Sequence, residues 1–167
     1  MTLLGRSGSE SLSEDIALRG TVQRMELAYA LLADHAQVPP DGKVYVLGGG
    51  FTQLALPKLP GVWGFAAVAG FRFTSADTGK TQNVEMRFLD EARKLIVPTA
   101  TLTFQAAGQD IPDGREVILP TVTYLQPMFG GPGVYSAEYW LGEHMLAQLR
   151  LYVTEQEPPA PPTGRAN

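Results

Sequence analysis

The stretch Gln82-Asn83-Val84-Glu85-Met86-Arg87-Phe88-Leu89 decides the fold class. Val84, Met86 and Phe88 alternate with Asn83, Glu85 and Arg87, so apolar residues recur at every second position. Side chains along a strand point alternately to its two faces, and this period marks a strand with one face in a core and one in water. Working outward, Leu102, Phe104 and Ala106 alternate in the same way with Thr101, Thr103 and Gln105. Upstream lie three apolar runs, each closed by turn residues: 25–38 by Pro39-Pro40-Asp41-Gly42, 43–56 by Pro57 and Pro60-Gly61, and 62–74 by Asp77-Thr78-Gly79. Downstream, Pro112-Asp113-Gly114 precedes Glu116–Leu125, and Gly130-Gly131-Pro132-Gly133 launches a last pair of strands, 134–141 and 146–153. One run has a helical rival, because Leu27, Ala28, Leu31 and Leu32 form a stripe; Tyr29 and the following Val38-Pro39-Pro40 favour a strand. About eight strands with frequent turns predict an all-β fold, an antiparallel β-sandwich.

Composition narrows the function classes. A chain of 167 residues and 18.0 kDa fits one domain, and 44% hydrophobic against 18% charged residues excludes a disordered chain or a coiled coil. The formal charge of −4 advertises neither nucleic-acid nor anionic-membrane binding. Without Cys there is no disulfide framework and no thiolate chemistry. No apolar run approaches the ~18 residues that span a bilayer, and the N-terminus lacks the pattern of a signal peptide. Residues 1–24, rich in Ser and Gly with a Ser11–Glu14 capping-box pattern, read as a flexible N-terminal segment. Residues 25–155 read as the domain. Residues 156–167 read as a Pro-rich disordered tail, whose PxxP spacing at Pro158–Pro162 is that of an extended, unpacked terminus.

In the last pair, Tyr135, Ala137, Tyr139 and Leu141 face inward, opposite Leu149, Leu151 and Val153. Ser136, Glu138, Trp140, Gln148, Arg150 and Tyr152 fall on the outer face. The sequence Pro132-Gly133-Val134-Tyr135, a strand, Gly142-Glu143 and a second strand resembles the closing hairpin of immunoglobulin-like sandwiches. That likeness implies a buried Tyr135 ring whose hydroxyl meets a backbone group at the corner. The run Met25–Val38 followed by Gly42-Lys-Val-Tyr-Val-Leu-Gly-Gly-Gly-Phe51, together with this hairpin, resembles a bacterial family of small uncharacterised proteins over residues 25–155. The resemblance implies an immunoglobulin-like sandwich in a bacterial, cytoplasmic setting. It carries no activity and no catalytic residue.

Motifs that suggest chemistry have structural readings. Gly48-Gly49-Gly50 lacks the spacing and the following helix of a phosphate loop, so it reads as a bend or bulge. His35 and His144 each follow an acid, but neighbours in a strand point apart, and two His without Cys do not make a metal site. His144 reads as a solvated residue of a 142–145 turn and His35 as a polar group at a strand end. Gly5-Arg6-Ser7-Gly8 lies in the N-terminal segment, and Asp90-Glu91 and Asp110/Asp113 read as solvated turn acids. Trp63 reads as a core anchor. No catalytic residue, cofactor or metal is assigned.

What remains is the aromatic outer face, with Trp140, Tyr152, Glu138 and Arg150 as binding residues. The expectation is a non-enzymatic interaction or structural module that binds a protein partner or its own copy through an outer sheet face or an edge. The alternatives are a small-ligand or carbohydrate module that uses the ring of Trp140, and an enzyme with carboxylate chemistry in its loops.

Overall fold

A computed structural model describes residues 25–105 and 111–156. The readings of residues 1–24, of Ala106 and Asp110, and of the Pro-rich tail beyond Gln156 lie outside the described residues. The elements are β1 (Glu26–Gln37), β2 (Tyr45–Gly49), β3 (Gln53–Leu56), β4 (Gly61–Val62), β5 (Phe65–Phe73), β6 (Thr81–Leu89), β7 (Ala100–Gln105), β8 (Val117–Leu125), β9 (Met128–Phe129), β10 (Gly133–Leu141) and β11 (His144–Glu155). One 3-10 turn, Ser75–Asp77, separates β5 from β6. A four-stranded sheet, β2-β1-β5-β8, packs on a five-stranded sheet, β3-β11-β10-β6-β7, and β4 pairs with β9 as a short ribbon. The all-β sandwich is as the alternation predicts.

Two details differ. Among the described residues there are eleven strands rather than eight, because the runs 43–56 and 62–74 each break at glycine and the two-residue strand β9 forms between β8 and β10. The sandwich is also not wholly antiparallel, since β3 runs parallel to β11. The parallel pairing follows from Gly48-Gly49-Gly50, where the chain leaves one sheet for the other. Gly48 and Gly50 adopt φ of 61° and 86°, a region that Cβ-bearing residues rarely enter, and the Gly50 amide donates to the Leu32 carbonyl at 2.7 Å. Past this bend, the Tyr152 amide donates to Thr52 and β3 lies along β11. The triple glycine is a sheet switch.

β1 is a strand throughout, with a bulge between Leu27 and Tyr29. The final hairpin closes on the two residues Gly142-Glu143, with Gly142 at φ 59°, so His144 opens β11 opposite Leu141 instead of lying in the turn. Its register pairs Tyr135 with Leu151 and Ala137 with Leu149 on the inner face. Tyr135 is buried against Phe88 and Phe129, and its hydroxyl donates to the Gly131 carbonyl at 2.9 Å. Phe65, Phe71 and Phe73 of β5 complete the core from the facing sheet.

Trp63 is not a core anchor: it is 43% exposed. The strand breaks at Trp63-Gly64, so the alternation of β5 does not reach it. Phe65 takes the core position and meets Phe51 and Phe88 edge-on.

Candidate functional site

On the outer face of the five-stranded sheet, the centre is Glu138. Its side chain is fully buried although it points away from the core, because β10 itself, β11 and the loop after β6 surround it with donors. The Arg93 guanidinium grips both carboxylate oxygens. Trp140 Nε1 donates to Oε2 at 3.0 Å, and Gln148 Nε2 and Ser136 Oγ donate to Oε1 at 2.9 and 3.3 Å. Burial pushes the Glu138 carboxyl up, but the donors from Arg93, Trp140 and Gln148 outweigh it and hold the group at about 2. Five donors saturate the carboxylate's lone pairs and clamp it between the sheet and the loop.

The clamp ties a loop to the sheet. Arg93, at φ 67°, is the one non-glycine residue with positive φ among the described residues. The turn that holds it is closed by Asp90, whose carbonyl accepts from the Arg93 amide at 3.0 Å and whose side chain accepts from the Lys94 amide at 2.9 Å.

Trp140 is half-buried and is not an open platform. Its indole edge is taken by Glu138, and the Arg87 guanidinium lies 5.1 Å from the ring centroid. Arg87 is fixed in turn by two bonds to Glu85 Oε2, at 2.6 and 3.0 Å. Of the expected binding residues, the fold therefore joins Trp140 to Glu138. Arg150 lies opposite Ser136, on a shallow concavity of about 290 Å³ shared with Asp90, Glu91 and Arg93. Tyr152 pairs with Val134, six positions along β10 from Trp140, or roughly 20 Å at strand rise. The two rings do not share a patch.

Among the described residues, the larger exposed apolar surface is on the other sheet. Register and alternation place Ala66, Val68, Gly70 and Arg72 of β5 outward, flanked by Tyr29, Leu31 and Ala33 of β1 and by Ile118, Pro120, Val122 and Tyr124 of β8. Tyr45 and Leu47 of β2 continue the same face, opposite Gln37 and His35. Ala33, Ala66 and Val68 at the centre are closed off by the side chains around them, forming a second small cluster outside the main core. Around that centre Leu47 is 70% exposed, Tyr124 58%, Tyr45 50% and Ile118 44%. Arg72 is bracketed by Glu116 at 3.5 Å and Glu26 at 3.7 Å at one end of the sheet. His35, at the other end, lies beside Tyr124 with ring centroids 5.6 Å apart.

A model for a family of unknown function, DUF6941, matches residues 28–154. The chain belongs to the DUF6941 family. No curated protein matches it. The match covers β1 to nearly the end of β11, so the Glu138 clamp and the apolar face both lie within the DUF6941 domain. Among the described residues of this DUF6941 chain, no three His, Asp or Glu converge as a metal site would require. No helix among them is long and apolar enough to cross a membrane.

Sequence reasoning placed Ser136 and Gln148 on the clamp's face but missed Arg87 and Arg93. Arg87 was within reach, since antiparallel pairing of β6 with β10 sets Arg87 opposite Glu138. Arg93 reaches the site from a loop, where no periodicity announces it. The apolar face was also missed, although its signal stands in the sequence. Phe65-Ala-Ala-Val-Ala-Gly-Phe-Arg-Phe73 is apolar at eight of nine positions, the composition of a strand buried on both faces.

Proposed function

We propose that this DUF6941 chain is a non-catalytic interaction module that docks protein through the outer face of its four-stranded sheet. The observation that carries this is the contrast between β5 and β6. The outward positions of β6 are Asn83, Glu85 and Arg87, while those of β5 are Ala66, Val68, Gly70 and Arg72. A sheet whose outer face meets water alternates as β6 does; β5 does not, and although Ala66 and Val68 are closed off within the chain, Leu47, Tyr45, Tyr124 and Ile118 around them stay exposed. Burying an exposed Leu or Ile side chain such as those of Leu47 and Ile118 contributes about 1.5–3 kcal/mol each, which favours a docked state. The saturation of Glu138 argues against carboxylate catalysis at the Trp140 face. Capping of Trp140 by Arg87 argues against using that ring as the docking platform.

The test is photo-crosslinking in the organism that encodes the chain, with a benzophenone side chain replacing Leu47 and, as control, Tyr152. The reading expects a discrete protein adduct at position 47 and none at 152. No adduct at position 47 would overturn it.

A second reading, a small-ligand module, rests on an apolar cleft of about 430 Å³ between β1 and β11, lined by Leu31, Leu32, Phe51, Leu149 and Tyr152. A glycan and small-hydrophobe screen by NMR that shifts resonances of Phe51 and Leu149 would support it, and silence there would remove it.

We read the sandwich as immunoglobulin-like on two supports. The Tyr135 hydroxyl bonds back to Gly131 at the start of the penultimate strand, as a tyrosine corner does, and the inner faces of two sheets form one core. A bacterial, cytoplasmic setting belongs to the same reading, on the resemblance of residues 42–51 and 132–153.

A further inference from the structure

Resting on the docking reading, we infer that the occupant of the β2-β1-β5-β8 face is a second copy of this chain, stacked sheet on sheet about a two-fold axis. Three observations favour a copy over a transient foreign partner.

The first is size. The four strands have 12, 5, 9 and 9 residues, and at ~3.3 Å rise and about 4.8 Å spacing they give a face of roughly 550 Å² in projection. Its accessible area is larger, because the side chains stand up from the plane, and a stable pair needs roughly 800 Å² on each partner. The face is thus of the order of one small interface.

The second is composition. Surfaces that meet and part in transit stay about as polar as the rest of a protein, whereas homodimer interfaces are more apolar and lose charge at their centre. Between Arg72 at one end and His35 at the other, the outward positions of β1, β5 and β8 carry no charged side chain. Three tyrosines, Tyr29, Tyr45 and Tyr124, stand among the aliphatic residues, an enrichment that interfaces share.

The third is electrostatic. A two-fold axis sets a face against itself, so an uncompensated charge would meet its own sign or an apolar patch. Arg72, the cation of this face, is already paired with Glu26 and Glu116 within its own chain. Self-stacking therefore brings no unpaired cation into the contact, and the one excess carboxylate stays at the exposed end of the sheet. The layers would lie about 10 Å apart, as in sheet packing within a sandwich.

The experiment is sedimentation velocity on the full chain, with Leu47→Lys and Ile118→Lys as variants and circular dichroism as the check on folding. Both residues are exposed in the single chain, at 70% and 44%, so neither substitution opens the core. They lie on β2 and β8, the two outer strands of the face. We expect twice the 18.0 kDa chain mass for the unaltered protein and the single mass for each variant. A single mass for the unaltered protein at high micromolar concentration would overturn the inference, as would a dimer that survives both lysines. If the protein is single but the crosslinker at position 47 captures a different protein, the second copy fails and docking stands. If it is single and nothing is captured, both fail.

Discussion

The ring of Tyr29 lies against Gly70 of the neighbouring strand, so close that a Cβ on Gly70 would stand 2.3 Å from Tyr29 Cε1. This contact belongs to the outer face of the four-stranded sheet, not to the core between the sheets. Burial there pushes the Tyr29 hydroxyl pKa up. The centre of this face is thus packed, while Leu47, Tyr45 and Tyr124 around it stay exposed.

Gly70→Ala should lower stability by about 1–3 kcal/mol, because the new methyl must displace a ring held between β1 and β5. Tyr29→Ala removes the obstacle, so the double variant should cost less than the sum of the two single ones. Urea midpoints of the four proteins measure the coupling, and strict additivity would mean that the ring does not rest on Gly70.

The Glu138 clamp gives the fold a pH dependence of known sign. Its carboxyl has a lower pKa in the folded chain, about 2, than the ordinary 4.5 it regains on unfolding. Its contribution is therefore fully present above about pH 4.5 and is lost as the pH falls toward 2. Glu138→Gln should be less stable at pH 7 and should flatten the acid limb of a stability–pH curve across that window. Arg93→Ala should lose about 1.5–3 kcal/mol at pH 7, the range of a hydrogen bond to a buried charge. Urea midpoints at pH 7, 4 and 3 check both.

Tyr139 is buried with its hydroxyl unpartnered among the described residues, and that burial drives its pKa far above the ordinary 10.0. Its ring packs edge-on to Phe71. Tyr139→Phe keeps the ring and removes an unsatisfied oxygen, so it should raise stability by about 1 kcal/mol. A fall in the denaturation midpoint would mean that the hydroxyl has a partner.

Arg87 is what covers Trp140. In a Trp63→Phe background, Arg87→Ala should make the remaining indole more accessible to acrylamide, while the molecular mass in solution stays unchanged. A change in mass would return the interface to the Trp140 face.

Much of the fold was legible because its signals are local. The alternation of Val84, Met86 and Phe88, the Pro-Asp-Gly turns and the closing hairpin each report on their own neighbourhood, and Tyr135 found its corner as the motif implied. The sheet switch at Gly48–Gly50 was legible as a bend, but not as a bend that carries the chain to a parallel pairing, which depends on a strand a hundred residues away. Trp63 misled because an aromatic residue two before Phe65 keeps the phase of a strand that has already broken. At the candidate site, alternation put Glu138 and Trp140 on the right face. It could not tell an outward residue in water from one sealed by Arg93, a loop residue, or by Arg87 across the strand. The apolar face of β5 was hidden for the opposite reason: a continuous apolar run shows burial on both sides without saying what lies on the second.

The most direct test is hydroxyl-radical footprinting of the full chain across a concentration series. If the four-stranded sheet is the interface, Leu47, Tyr45 and Tyr124 lose reactivity as concentration rises, while Tyr152 and Met145 on the other sheet keep theirs. Unchanged reactivity at Leu47 and Tyr124, or protection moving to Tyr152 instead, would contradict the account.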